Sequence, residues 1–206
     1  MFDYNMRLVL IGECSVGKTA FASKLTYGYY HDKHNTTIGV DYSAKTIPIN
    51  NEAMVKCQLW DTAGQENFAP IIKNYYKGVA SGFLVIDATD TEWKNHMEKW
   101  LKRYNAHKFE ESLPLIAILN KIDLERKVSF EEFKLFADEN GMKSYEISVK
   151  TGANTKYLLD KMTEYILEHI EKGSKLPGVK KGIDIRQIEE KFQPEQGLYD
   201  KCCIVQ

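Results

Sequence analysis

The amino-acid sequence predicts an α/β protein: a mostly parallel six-stranded sheet with one antiparallel edge strand and helices on both faces. Three observations carry this reading. Gly82-Phe83-Leu84-Val85-Ile86 and Leu115-Ile116-Ala117-Ile118-Leu119 are continuous apolar runs, the composition of strands buried on both faces. Apolar residues recur at helical spacing in the segments that alternate with such runs. The octapeptide Gly12-Glu13-Cys14-Ser15-Val16-Gly17-Lys18-Thr19 joins a strand-like run to a helix-like one through a glycine-bearing loop.

The elements follow in order. Leu8-Val9-Leu10-Ile11 reads as the first strand and Thr19 to Leu25 as the first helix, with an unpatterned polar and aromatic loop from Tyr27 to Asn35. Val40 to Ile49 and Ala53 to Trp60 read as strands joined by a turn at Asn50-Asn51. Pro48 cannot donate to a ladder, which places the first of these at a sheet edge. Trp93, Met97, Trp100, Leu101 and Tyr104 form a helical stripe, read as core. Ser129-Phe130-Glu131-Glu132 is a capping box opening a helix with Phe133 and Phe136. Ser144 to Ile147 is the last expected strand, and Leu158, Met162, Tyr165, Ile166 and His169 mark the final helix. The expected domain is residues 1–170, and the Lys-, Gly-, Pro- and Glu-rich residues 171–206 read as a flexible tail.

Composition excludes several classes. The 206 residues are 43% hydrophobic, enough for a full core, and the net charge of −1 lacks the basic excess of a nucleic-acid binder. No apolar run approaches the roughly 18 residues that span a bilayer, and Met1 to Arg7 lacks the regions of a signal peptide. Cys14 and Cys57 stand apart and Cys202 and Cys203 are adjacent, so no disulfide framework or metal spacing arises and a reducing cytoplasm is expected. The five histidines show no ligand spacing either.

Three motifs carry chemistry. The octapeptide matches G-x-x-x-x-G-K-[ST], in which backbone N–H groups of a glycine loop wrap a phosphate and the following helix adds positive potential. Contacts are expected from Gly12, Cys14, Ser15, Val16, Gly17 and Ala20, with a full charge from Lys18 and a hydroxyl from Thr19 to Mg²⁺. Asn120-Lys121-Ile122-Asp123 selects the base, because Asp123 can accept from both the ring N–H and the amine of guanine, whereas adenine would face it with an acceptor. In Asp61-Thr62-Ala63-Gly64-Gln65, Asp61 can hold magnesium through a water, Gly64 can offer its N–H to a γ-phosphate and Gln65 can orient a water.

Together these motifs resemble the Ras-like small GTPases over residues 6 to about 170. Within that superfamily the chain is similar to the Rab branch. Ile38-Gly39-Val40-Asp41-Tyr42 matches I-G-V-D-F with Tyr for Phe, and Val55 to Asp61 follows the Rab strand into the second switch. Tyr75-Tyr76-Lys77-Gly78-Val79 is similar to Y-Y-R-G-A, and Leu84 to Thr89 to L-V-Y-D-I-T. The resemblance implies a G domain that binds GTP or GDP with Mg²⁺ and hydrolyses GTP. Thr37 would then bind magnesium and sense the γ-phosphate, Tyr30 would stack on guanine, and Ser148-Val149-Lys150 would contact the base. Hydrolysis would rest on Gln65, Lys18 and Thr37, and the metal on Thr19, Thr37 and Asp61. Effectors would meet Ile38 to Tyr42 and an aromatic trio of Tyr42, Trp60 and Tyr75.

The implied partners are an exchange factor, a GTPase-activating protein, effectors and GDI-type prenyl chaperones, around a monomer. No residue matches a cis arginine, so slow intrinsic turnover is expected. Cys14 and Ser15 replace the small residues of related loops and leave open a second reading, a platform that stays GTP-loaded and scarcely hydrolyses. Val149 replaces the usual Ala beside guanine, which leaves open either faster GDP release or a slight loop shift with no effect, and Asn67 replaces the usual Arg.

The chain ends in Lys201-Cys202-Cys203-Ile204-Val205-Gln206. This resembles a Rab ending with two geranylgeranylated thiols, and can also be read as a box with one farnesyl on Cys203. One lipid chain needs a second signal for stable anchoring. Residues 171–206 hold seven basic against six acidic residues, which is no polybasic patch, so two prenyl groups are expected on a protein cycling from the cytoplasm to endomembranes.

Overall fold

The structure, a computed structural model, describes residues 3–30, 37–49, 54–64 and 69–181. Its elements run β1 (Tyr4–Ile11), α1 (Lys18–Tyr27), β2 (Val40–Pro48), β3 (Met54–Thr62), α2 (Ala69–Tyr76), β4 (Ser81–Asp87) and α3 (Trp93–Asn105), then β5 (Ile116–Asn120), α4 (Phe130–Glu139), β6 (Ser144–Glu146), α5 (Leu158–Glu171) and β7 (Val179–Lys181). The sheet order is β2-β3-β1-β4-β5-β6. β2 pairs antiparallel with β3 at the edge, where Pro48 is tolerated, and β3, β1, β4, β5 and β6 are parallel. The expected turn at Asn50-Asn51 lies outside the described residues.

Alternation along β1 builds two cores. Met6, Leu8 and Leu10 face Phe21, Leu25, Met162 and Ile166 of α1 and α5. Val9 and Ile11 face the other side, with Tyr76 of α2 and Met97, Trp100 and Tyr104 of α3. Full burial of each such side chain contributes roughly 1.5–3 kcal/mol. α4 opens as its capping box requires, with the Ser129 hydroxyl accepting from the Glu132 N–H at 3.2 Å. α2 was not expected from the sequence, since its eight residues give too short a stretch for a periodic signal.

Two further expectations need correction. Among the described residues a seventh short strand, β7, joins the expected six, and strand pairing runs past residue 170 to Lys181. β7 pairs antiparallel with Tyr4, Asn5 and Met6 of β1, on the side where β4 begins further along. It is only three residues long, and the polar run around it hides it. Backbone explains why it forms: β1 would otherwise present unpaired groups over its first half. The Arg7 N–H donates to the Gly178 carbonyl at 2.8 Å, and Gly178 (φ 74°) sits so close to Gly78 and Ala80 that a Cβ would lie 2.5 Å from the Gly78 carbonyl oxygen. Gly178→Ala is therefore expected to detach β7 at a cost of about 1–3 kcal/mol, seen as faster amide exchange at Arg7 and Met6 with nucleotide affinity unchanged. Unaltered exchange would contradict this account of β7.

Candidate functional site

β1 ends at Ile11 and α1 starts at Lys18, so the octapeptide becomes a loop at the carboxyl edge of the sheet. Gly17 (φ 99°) stands at the helix start with no side-chain cap, and no acidic residue occupies the first turn of α1. The N–H groups and positive end of the helix are thus left to an anion. Gly17 also passes so near Asn120 that a Cβ would lie 2.6 Å from the amide nitrogen. Lys18 is buried, and its amine donates to the carbonyls of Gly12 at 2.9 Å and Glu13 at 2.6 Å. Burial lowers that amine to about 8, against the pull of the Asp61 carboxylate. In front of it opens a cavity of about 430 Å³.

Three oxygens meet beside Lys18. The Thr19 hydroxyl donates to Asp61 Oδ2 at 2.5 Å and lies 2.7 Å from the Thr37 hydroxyl. Burial pushes the Asp61 carboxyl up to about 6, opposed by the Thr19 hydrogen bond and the Lys18 charge. Asp61 Oδ1 is buried with no hydrogen-bond partner. A hard-oxygen cluster with one orphaned carboxylate oxygen fits Mg²⁺, which takes few protein ligands and fills its shell with phosphate and water. The expected metal residues are therefore brought together.

The base-binding motif lies at the other end of the cavity. Asn120 is buried at the end of β5, where its amide N–H donates to the Val16 carbonyl at 2.9 Å and its Oδ1 accepts from the Val149 N–H at 3.1 Å. One side chain thus ties the phosphate loop to the loop at 148–150. Asp123 accepts from the Ser148 hydroxyl at 2.6 Å, which in turn accepts from the Thr151 N–H, so its carboxylate is aimed from a fixed turn. Lys121 (φ 67°) pairs with Asp87 at 2.6 Å. Burial works the other way, but that pairing and the Thr89 hydrogen bonds hold the Asp87 carboxyl below its usual range.

Tyr30, Lys121, Asp123, Lys150, Cys14, Ser15, Ala20, Thr37 and Gly64 all line the cavity. Gly12, Val16, Asp61 and Ser148 stand behind the lining as supports. Val149 also lines the cavity, is packed in the buried core cluster, and donates its N–H to Asn120.

Gly64 presses on the phosphate loop, where a Cβ would lie 2.4 Å from the Cys14 nitrogen. Gln65 and Asn67, next along, lie outside the described residues, as do His31, His34, Cys202 and Cys203. On the outer face, Tyr42 and Trp60 have ring centroids 5.1 Å apart and Trp60 and Tyr75 5.3 Å apart. The Gln58 amide donates to the Tyr42 hydroxyl, and the Arg7 guanidinium lies 5.2 Å over Trp60. Ile38 is 81% exposed, Gly39 accepts from the Ala63 N–H, and Val40 and Asp41 pair with Thr62 and Asp61. Sequence reasoning missed Leu124 and Thr62, both in the cavity lining. Leu124 directly follows the Asn120–Asp123 motif, and an exposed apolar residue there was the signal available.

A phosphate loop, a hydroxyl-carboxylate metal cluster and an aimed carboxylate on one sheet edge define a P-loop guanine-nucleotide site of the small-GTPase class. Comparison with protein families matches residues 7–168 to the Ras family, and the chain belongs to that family. Its members are GTPases that bind GTP or GDP with Mg²⁺ and work as switches with exchange factors, GTPase-activating proteins and effectors.

Proposed function

We propose that the chain is a Rab-type GTPase, a switch that recruits effectors to endomembranes in vesicle traffic. The observation that carries this is the continuous Tyr42–Trp60–Tyr75 ladder, built from β2, β3 and α2. It abuts the metal cluster, since Asp61 follows Trp60 and Asp41 pairs with Asp61. Thr37 and Gly64 join the γ-phosphate end of the cavity to this face, so loss of that phosphate loosens both segments beside the ladder.

Within the site, Lys18 holds the phosphates and Asp123 orients the base. Thr19, Thr37 and Asp61 would hold magnesium, which when bound supplies positive charge to the outer phosphates. Gln65 orients the attacking water and acts in the transition state, so Gln65→Leu should lower single-turnover hydrolysis by at least about tenfold with GTP affinity nearly unchanged. Cys14 and Ser15 support the second reading, a hydrolysis-poor platform, because both line the cavity and Ser15 holds φ 62°. Parent protein that hydrolyses as slowly as Gln65→Leu, even with a GTPase-activating protein, would favour that reading.

Membrane attachment rests on Cys202 and Cys203, both geranylgeranylated, and GDI-type chaperones would carry the soluble form. Intact mass of protein from a eukaryotic cell should show two C₂₀ additions, and Cys202→Ser should weaken membrane association. A single C₁₅ addition with Cys202→Ser still membrane-bound would point to farnesylation. The trafficking role itself is tested by imaging tagged protein in a eukaryotic cell. Endomembrane labelling that Tyr75→Ala leaves in place while GTP-dependent effector binding is lost supports it. A purely nuclear or plasma-membrane distribution contradicts it.

A further inference from the structure

The phosphate loop contains one acidic residue, Glu13, and its side chain is held outside the cavity lining. Its carboxylate is pinned from α3. Oε1 accepts from the Trp100 indole N–H at 3.0 Å and forms an ion pair with the Lys99 amine. Trp100 is buried, with the Arg103 guanidinium 5.1 Å over its ring. The main chain of the same residue carries two parts of the site. Its carbonyl accepts from the Lys18 amine at 2.6 Å, and a Cβ on Gly64 would lie 2.6 Å from that same carbonyl oxygen.

Charge explains why this arrangement matters. A carboxylate in a phosphate-binding loop repels the ligand, and repels GTP more than GDP because GTP carries the extra phosphate. Lys99 cancels that charge, and the indole N–H fixes where it sits. The Glu13 and Lys99 side chains are 20% and 30% exposed, so solvent screens the pair only in part.

We propose that Glu13 is a positioning residue of the phosphate loop, held and neutralised from α3, and that Lys99 thereby sets how strongly the loop retains the third phosphate. Lys99 and Trp100 lie on α3, which packs against α2 through Tyr76 and Tyr104, so a binder that draws Lys99 off Glu13 would release GTP in preference to GDP. The inference rests on guanine-nucleotide binding at this site.

Release of a fluorescent GTP analogue and of its GDP counterpart from the full chain with Mg²⁺ tests it, using Lys99→Met, Glu13→Gln and the double variant. Lys99→Met leaves Glu13 charged and unneutralised, and should release the GTP analogue about tenfold faster and the GDP analogue at most about threefold faster, the scale of truncating one partner of a partly screened pair. Glu13→Gln keeps an acceptor for the indole and should release GTP no faster than the parent. Adding Glu13→Gln to Lys99→Met should return both rates to within about twofold of the parent. A role in packing alone would accelerate both nucleotides equally and show no rescue. That result, unchanged rates in Lys99→Met, or a GTP-selective loss that Glu13→Gln does not rescue overturns the proposal. Failure of the underlying reading looks different, since the parent protein itself would then retain neither analogue.

Discussion

Asp123→Asn should change which base the protein holds. The carboxylate is fixed by the Ser148 hydroxyl and lines the base end of the cavity. As an acceptor pair it matches the ring N–H and amine of guanine. An amide in its place turns one acceptor into a donor, which suits xanthine with a carbonyl where guanine has the amine. Sites built around a paired hydrogen bond reject the mismatched partner by roughly 10⁴-fold, so the variant should lose GTP by a factor of that order and retain XTP. Competition of GTP, XTP and ATP for the parent and the variant checks this, and comparable binding of ATP and GTP by the parent would defeat the base assignment.

Asn120→Ala should have the next largest effect, for a different reason. Asn120 is buried and satisfies two backbone groups of separate loops, the Val16 carbonyl and the Val149 N–H. Truncation leaves both without that partner, at about 1–3 kcal/mol for each. The penalty falls on the geometry of the phosphate loop and the base loop together, so GDP release should quicken by about 100-fold or more while the sheet core is kept. Rates within a few-fold of the parent would mean that the two loops hold their shape without this latch.

Much of the scaffold was legible in the chain because its signals are local. Runs such as Gly82–Ile86 have the composition of doubly buried strands, and the stripe from Trp93 to Tyr104 has the spacing of a helix face; both were found as expected. The loop ligands of the site were equally legible, since G-x-x-x-x-G-K-[ST] and N-K-x-D place their residues within a few positions of one another. What escaped was non-local. β7 is made by the free half of β1, about 175 residues away, and by the fit of Gly178 against Gly78 and Ala80, about a hundred residues away, contacts that no window reveals. The Glu13–Trp100 bond likewise joins a loop and a helix 87 positions apart.

If one site reads the γ-phosphate through Thr37 and Gly64 and passes that reading to the aromatic face, both segments should respond together to the nucleotide. Amide hydrogen exchange measured on protein loaded with GDP or with a non-hydrolysable GTP analogue tests it most directly. Strong protection is expected with the GTP analogue over residues 37–42 and from Gly64 through Tyr76, lost in the GDP form, while β5 and α5 exchange alike in both. Equal exchange of these segments in the two states would contradict it.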